Sequence, residues 1–417
     1  MKYKYFLVYC LFSVLVMFFT CSNRYEHQSL NGHWEGEISS EGKSLKILFD
    51  ISAEKFLYDI PDLGLFGEPA SKWDITGNDI NFEIEGRENI NVTGSLENNK
   101  IIAEIEGSDD IQLTLNRASN DPVFYSEEEV TYKSDGVVIS GTLIKPKSNQ
   151  PYPVIVFVHG SGKMIRETMR SRAYMFVQNG SAVLIFDRRG KGKSEGDTSR
   201  ILPISVMTGD VIAGVEFLKE RKDIDKKKIG LYGLSQGGWV VPNAVSLCKD
   251  VTFIIAVSAP GITPDEQNDY VVDNIVKNEV KKFTKINKWI EEFDTTINSY
   301  MEQESSFREK SNKNGTEIVP GFSGFNPIPA WESITIPVLA VWGELDEIVP
   351  HNKSRIKIEN ALKKSGNNSY TLKTFDGANH VIKLAGEKEK FAGKWEVTAP
   401  GSNEFIAGWF KKTILGN

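Results

Sequence analysis

The chain has 417 residues, of which 40% are hydrophobic and 25% charged, an ordinary globular composition with room for two domains. A formal net charge of −7 argues against a dominant basic face, so nucleic acid is not an expected partner. The sequence has no Cys/His cluster with metal-ligand spacing and no phosphate-cradling glycine loop of the G-x-x-x-x-G-K-[ST] type.

Residues 1–21 have the pattern of an export signal. A basic start with Lys2 and Lys4 precedes an almost wholly apolar run over 6–19, which is too short for a comfortable membrane span. Residues 18–21 loosely resemble a bacterial lipobox ending at Cys21, although Phe19 stands where small residues are usual. The pattern predicts an exported lipoprotein, periplasmic or at the cell surface, with a lipid on Cys21 and residues 22–29 as a tether. A simply cleaved signal and an uncleaved anchor are the alternatives.

The three cysteines fit this hypothesis. Cys10 would leave with the signal, and lipid on Cys21 would leave Cys248 alone, so no internal disulfide is expected. Cys248 falls in a predicted helix, where we expect it to be buried.

Residues 30–117 alternate apolar and polar side chains with period two, and Gly, Asn and Asp interrupt the runs. Several short alternating strands with turn signals between them predict a small all-β domain, a sandwich or a barrel. His33 is interpreted as a surface or packing residue rather than a ligand. Residues 118–126 are interpreted as a linker.

From residue 127 to 417 the pattern changes to that of an α/β domain. A hairpin is predicted around 134–136, followed by nearly continuous apolar runs, which are typical of strands buried on both faces. Helix-like stretches such as 210–222 separate these runs. The expectation is a mostly parallel sheet with helices on both faces. The runs are 153–158, 182–186, 229–232, 253–257, 338–342 and 370–375.

A long insertion, about 262–335, separates two of these strands. Residues 269–304 are amphipathic with helical spacing, and 312–329 are rich in Gly, Asn and Pro. The apolar periodicity favours a helical lid over a surface loop.

A G-x-S-x-G motif covers 233–237, with Ser235 at its centre. An apolar strand precedes Ser235 and a helix-like run follows it, which is the context of a nucleophile elbow. Gly233 and Gly237 let neighbouring backbone pass close to the turn. Ser235 is the predicted nucleophile.

The base and the acid are predicted from strand ends. His380 follows the last strand, whose carboxyl end can reach that of the Ser235 strand, so it is the first choice of base before His351. Asp346, just past the strand 338–342, is the first choice of orienting acid. Glu344 is the alternative acid, and Asp376 is a weaker one.

An acyl-transfer site also needs two backbone N–H groups for the developing oxyanion. Gln236 supplies one because it directly follows the nucleophile. Ser161, in the loop of 159–162, supplies the other through its backbone, and His159 has a structural role in that loop.

Five segments in this order resemble the α/β-hydrolase superfamily over roughly residues 127–417: HGSG at 159–162, FDRRGKGKSEG at 186–196, GLSQGG at 233–238, WGELDEIVP at 342–350 and GANH at 377–380. With its β domain and lid, the chain resembles exported bacterial esterases of the dienelactone-hydrolase or serine-aminopeptidase-like type. The resemblance implies a Ser-His-Asp serine hydrolase that cleaves a small-molecule carboxylic ester without metal or cofactor. It also implies that residues 187–190 form a structural loop near the site.

Two other functions stay open. A serine peptidase would need an anchor for the peptide amino terminus, for which acidic lid residues are available, although a solvated helix face is the favoured explanation of these residues. A non-catalytic binding protein is the second alternative. An apolar acyl site lined by large aromatic residues is a further hypothesis, with ordinary packing as its alternative. The acidic residues are Asp265, Glu266, Asp269 and Asp273, and the aromatic residues are Trp239, Phe322, Phe325 and Trp331.

Overall fold

The computed structural model describes residues 30–84, 90–119, 125–147, 150–161, 165–196, 202–282, 324–386, 390–392 and 395–416. The predicted signal and tether with Cys21, the middle of the predicted linker, and lid residues 283–323 with Phe322 lie outside these ranges. The chain divides into two compact units. The first holds the described residues up to Asp59 and those from Glu68 to the end of the first sheet, and the second holds Ile60–Gly67 and the described residues from Tyr125 onward.

Most strands of the first unit belong to a nine-stranded sheet in the order β4-β3-β2-β1-β9-β8-β7-β6-β5, and the pairs from β3 to β5 along this order are antiparallel. Its strands are β1 Gly32–Ser40, β2 Lys43–Ile51, β3 Phe56–Ile60, β4 Leu65–Pro69, β5 Ser71–Thr76, β6 Asp79–Ile84, β7 Ile90–Glu97, β8 Lys100–Ile105 and β9 Ser108–Arg117. The edge strands β4 and β5 are consecutive in the chain, so one sheet curls into a nearly closed barrel rather than a two-sheet sandwich. Trp34, Ile47 and Phe49 are fully buried in it.

His33 is a packing residue of this sheet and not a surface residue. It is 7% exposed and lies opposite Asp50 in the β1–β2 register. Its Nδ1 is 2.6 Å from Asp50 Oδ1, and its Nε2 is 3.3 Å from Glu35 Oε1. The hydrogen bond with Asp50 raises the pKa of His33.

The second unit has an eight-stranded sheet in the order β10-β11-β13-β12-β14-β15-β16-β17. The pairs β10–β11 and β11–β13 are antiparallel, and the remaining pairs are parallel. The strands are β10 Tyr125–Ser134, β11 Val137–Pro146, β12 Tyr152–Val158, β13 Ala182–Phe186, β14 Ile224–Leu234, β15 Phe253–Val257, β16 Val338–Gly343 and β17 Tyr370–Phe375. The predicted hairpin and the six predicted apolar strands are confirmed.

The helices of the described residues are α1 Arg170–Gln178, α2 Ile204–Lys219, α3 Gly237–Leu247, α4 Pro264–Lys282, α5 Ile328–Trp331, α6 His351–Lys364 and α7 Ser402–Phe410. β13, β15 and β16 are buried along their whole length, as continuous apolar runs require. Cys248, directly after α3, is a free and buried thiol. The helical start of α4 agrees with the predicted helical lid over the part of the insertion that is described.

Candidate active site

Ser235 lies on a tight turn between β14 and α3. Its φ of +54° is in the left-handed region, which non-glycine residues rarely adopt and which stores backbone strain. The turn is held because the Ser235 N–H donates to Val257 O at 2.9 Å, and the Gly238 N–H donates to Ser235 O at 2.7 Å. This strained serine at the end of a parallel strand has the backbone arrangement of a nucleophile elbow.

The glycines of the motif are required by close packing. A Cβ on Gly233 would lie 2.6 Å from the carbonyl oxygen of Gly237, and one on Gly237 would lie 2.6 Å from that of Val158. A Cβ on Gly238 would come within 2.4 Å of the Ala259 side chain. The sequence G-x-S-x-G-G therefore lets β14, α3 and the end of β12 approach each other around Ser235.

Asp346 and His380 are brought together by the loops that follow β16 and β17. His380 Nδ1 lies 2.8 Å from Asp346 Oδ2 and 3.0 Å from Oδ1. Asp346 is 1% exposed, and its Oδ1 also accepts the N–H groups of Ile348 and Val349 at 2.9 and 2.8 Å. The carboxylate is thus fixed by backbone donors and orients the imidazole through Nδ1, which leaves Nε2 for proton transfer.

The end of β15 links the serine and the histidine. Val257, its last residue, accepts the Ser235 N–H, and the next residue, Ser258, donates its hydroxyl to the carbonyl oxygen of His380 at 2.7 Å. Two consecutive residues therefore hold the backbones of Ser235 and His380 at the same edge of the sheet. This is the carboxyl edge, where sites of open α/β sheets lie.

The alternative base and acids lie elsewhere or have other partners. His351 is the first residue of α6. Glu344 is exposed, and its Oε2 accepts the Gly377 N–H at 2.9 Å, while Asp376 is also exposed. The carboxylate that contacts the ring of His380 is that of Asp346.

Gln236 directly precedes α3 with helical angles of φ −50° and ψ −32°. Its N–H lies at the helix N-terminus, where backbone donors lack partners within the helix and the macrodipole favours negative charge. Ser161 lies three residues beyond the end of β12 and is the last described residue before 165. Gln236 therefore lies at the position predicted for it, at the start of α3 directly after Ser235.

His159 lies in the interior beside this edge. Burial lowers its pKa to about 4, with a further contribution from the nearby Arg188 charge. Its ring stands edge-on to Phe186, with centroids 4.8 Å apart. A buried imidazole that stays neutral at physiological pH suits the structural role predicted for it.

Arg188 is the residue that sequence reasoning missed. It is 5% exposed, and its Nη2 donates to Gln236 Oε1 at 2.8 Å. Burial lowers its pKa. The sequence feature that points to Arg188 is its position two residues after a buried strand, at the same edge as the other site residues. The family resemblance implies only a structural loop there.

Helix α4 contacts the loop that carries the acid. The Tyr270 hydroxyl donates to Asp346 O at 2.8 Å, and the Asn274 side chain donates to Glu347 O at 3.0 Å. The start of the inserted segment therefore braces the backbone on which Asp346 depends.

Of the predicted aromatic residues that are described, Trp331 packs in the core, whereas Trp239 contacts residues of the insertion. Trp331 is fully buried in the core of the sheet and helices. Trp239 donates its Nε1–H to Ile262 O at 3.0 Å and meets Phe325 edge-on at 6.2 Å.

Within the described residues, no group of three or more His, Cys, Asp or Glu side chains is placed to hold a metal ion. No described helix is long and apolar enough to cross a membrane.

Comparison with known proteins agrees with this architecture. Residues 149–316 match the family model described as serine aminopeptidase, S33. The chain is 33% identical to the thiohydrolase AneE of Aspergillus aculeatus over 33% of this chain and 42% of that protein. It is 24% identical to the esterase EstD of Thermotoga maritima over 64% of this chain and 62% of that protein.

Among solved structures, the Pyrococcus furiosus esterase Pf2001 is similar with a TM-score of 0.47 and 22% identity, over 70% of this chain and 92% of that one. The chain spans roughly two fifths of the length of the curated relatives to which it is more than 30% identical. The family match falls on the unit whose sheet order and strand-to-helix serine turn are described above. The family match and the strand-to-helix serine turn together indicate that this unit has an α/β-hydrolase fold.

Proposed function

We propose that the protein is a serine hydrolase that cleaves carboxylic esters through an acyl-enzyme. The observation that carries the proposal is the pairing of His380 with the buried Asp346 at the sheet edge that holds Ser235 on a strained turn. A nucleophile, a base and an orienting acid in this relation are the components of acyl transfer. The similarity to the esterase EstD supports an ester as the substrate class.

The proposed reaction begins when Ser235 Oγ attacks the ester carbonyl carbon and gives its proton to His380 Nε2. Negative charge develops on the carbonyl oxygen and is stabilised by the N–H groups of Gln236 and Ser161. As the tetrahedral intermediate collapses, His380 donates the proton to the leaving alcohol oxygen. A water molecule then attacks the acyl-enzyme carbonyl carbon while His380 takes its proton. As this second intermediate collapses, His380 returns the proton to Ser235 Oγ, which leaves as the free hydroxyl, and the acid is released. Asp346 stabilises the imidazolium in both halves without taking the proton.

The test is hydrolysis of p-nitrophenyl esters from acetate to laurate. Ser235→Ala and His380→Ala should each lower kcat by several orders of magnitude, whereas His351→Ala, a matched histidine control outside the site, should keep it. The chain length of the best substrate would give the size of the acyl site. A folded wild-type protein that hydrolyses no ester would overturn the proposal.

The second candidate function is that of a serine aminopeptidase, which the family match favours. Of the acidic residues at the start of α4, Glu266 is already bound by Lys353 and Lys357 at 2.8 and 3.0 Å. Asp265, Asp269 and Asp273 are exposed and could meet a peptide amino terminus. Turnover of aminoacyl anilides in preference to esters would favour this candidate.

We also propose that the protein is exported and anchored by lipid on Cys21. The support is the basic and apolar pattern of residues 1–21. Cys21→Ala should move the protein from the membrane fraction to the soluble fraction. A variant that stays in the membrane fraction like the wild type would refute the lipid anchor.

A further inference from the structure

The loop 187–195 between β13 and α2 is built more tightly than a connection requires. The Asp187 carboxylate accepts the N–H groups of Arg166 and Lys193, each at 2.9 Å, and Asp187 O accepts the Ser194 hydroxyl at 2.7 Å. Gly192 has a φ of +54°, and a Cβ there would lie 2.4 Å from the Asp187 carboxylate. The loop thus presents the residue after Asp187 in a fixed position.

That residue is Arg188, and it is directed at the active-site turn. Its Nη2 donates to Gln236 Oε1 at 2.8 Å, and Nη2 also lies 2.8 Å from Met207 Sδ. Arg188 and Gln236 are both more than nine-tenths buried. A hydrogen bond from a charged donor is among the stronger ones, and shielding from water strengthens it further.

Gln236 carries two functions on one residue. Its side chain is held by Arg188, and its backbone N–H is the proposed oxyanion donor at the start of α3. The two are joined through the Cα and the three rotatable bonds of the glutamine side chain. Because that side chain is buried and its amide oxygen is held by Arg188, its rotamer is fixed, and this limits movement of the backbone that bears the N–H. Oxyanion donors act because they are already oriented before charge develops.

We infer that Arg188 is a positioning residue for the oxyanion hole, acting through the side chain of Gln236. The inference rests on the proposed function, because it assigns Arg188 a role in the same acyl-transfer site. Arg188 contacts neither substrate nor the reacting atoms in this assignment. It also assigns a role to the segment FDRRGKGKSEG, whose internal contacts fix the Arg188 guanidinium next to Gln236.

The test compares Arg188→Met, Arg188→Lys and Gln236→Met with wild type on p-nitrophenyl acetate. Complete loss of one oxyanion donor costs about 10²–10³ in kcat, so a misoriented donor should cost about 10- to 50-fold, with KM little changed. Gln236→Met keeps the backbone N–H and removes only the acceptor, so it should show the same loss. Arg188→Lys, which retains a charged donor, should recover part of the activity.

Two further measurements separate positioning from general stability. The double variant Arg188→Met/Gln236→Met should lose no more than the larger single loss, because both remove one interaction. Arg189→Met is the matched control: Arg189 binds Asp210 and Ser134 instead of Gln236, so its loss should lower the melting temperature and leave kcat in place. If Arg188→Met does not fold, Gln236→Met decides the question.

Single variants with kcat within twofold of wild type, or losses that multiply in the double variant, would overturn the inference. The rate at which a fluorophosphonate labels Ser235 gives a second readout, since phosphonylation uses the same oxyanion hole. If the wild type labels at Ser235 but hydrolyses no ester, the proposed substrate class fails, and the labelling rates still test Arg188. Equal labelling rates in wild type and in both Arg188→Met and Gln236→Met would overturn the role of Arg188 alone.

Discussion

Gly237→Ala perturbs the contact between the nucleophile turn and the strand that leads to the oxyanion loop. A Cβ at 237 would lie 2.6 Å from Val158 O and 3.0 Å from His159 O, and real Cβ atoms essentially never approach closer than 3.0 Å. Both neighbours are backbone atoms, so no side chain can rotate away. The start of α3 must therefore move from the end of β12 by at least about 0.4 Å, the difference between these distances.

This displacement separates the two proposed oxyanion donors, because Ser161 follows Val158 and Gln236 directly precedes Gly237. A misplacement of ~1 Å can cost about 10²-fold in rate, so we expect kcat/KM to fall about tenfold. The added methyl group in a packed interior should also destabilise the fold by about 1–3 kcal/mol. The assays are hydrolysis of p-nitrophenyl acetate, normalised by active-site titration, and urea unfolding.

Gly408→Ala is the matched control. Gly408 lies in α7, and a Cβ there would meet nothing within 4 Å. Replacing a helical glycine by alanine should stabilise the fold by about 0.5–1 kcal/mol without changing turnover. A Gly237→Ala protein with wild-type kcat/KM and wild-type stability would show that the turn does not depend on this close approach.

Three other predictions follow from the contacts. Asp346→Asn should lower kcat, but roughly one to two orders of magnitude less than Ser235→Ala does, and undiminished ester turnover would move the acid role to Glu344. Partial burial raises the pKa of Glu266, but Lys353, the Thr263 N–H and Lys357 together lower it to about 2. The stability that its ionised form contributes is therefore present above pH ~4.5 and is lost as pH falls towards 2. Since the Glu266 side chain is 31% exposed, Glu266→Gln should cost at most about 1 kcal/mol at neutral pH in urea unfolding, and an equal cost at pH 2 would contradict this origin. The raised pKa of His33 gives stability the opposite pH dependence. The stability that protonated His33 contributes is full below pH ~6.5 and is lost as pH rises through the raised pKa. His33→Gln should thus flatten the decline in stability of the first unit between pH 6 and 9, measured by urea unfolding at each pH, and an unchanged decline would show that other groups cause it.

The parallel strands could be predicted because their signal is local. Strands buried on both faces must be apolar throughout, so the runs 182–186 and 253–257 coincide with β13 and β15. β14 begins at Ile224, five residues before the predicted run, because residues 225–228 of the strand are polar and partly exposed. An apolar pattern finds the buried part of a strand and misses the part that leaves the core.

The closure of the first sheet and the environment of His33 could not be predicted. Alternation reveals strands with one buried face, but it is the same for a sandwich and for one curled sheet. His33 meets Asp50 because the β1–β2 register places them opposite each other, and the sequence pattern does not fix that register. The neighbourhood of a polar residue on a strand depends on its cross-strand partner.

The candidate site likewise has a part that the sequence predicts and a part that it does not. Ser235, Asp346 and His380 follow strand ends, so their positions are set by topology that the apolar runs already predict. The bonds from Arg188 to Gln236 and from Tyr270 to Asp346 join side chains and backbone across 48 and 76 positions. Nothing in the local pattern specifies such contacts, and only the packed structure brings them together.

Mapping a covalent adduct is the most direct test of Ser235 as the nucleophile. The full chain would be treated with a fluorophosphonate, digested, and analysed by peptide mass spectrometry, with Ser235→Ala treated in parallel. We expect one phosphonylated peptide carrying the adduct on Ser235, and no adduct in the variant. An adduct on another serine, or a Ser235→Ala protein that labels and hydrolyses ester like the wild type, would contradict it.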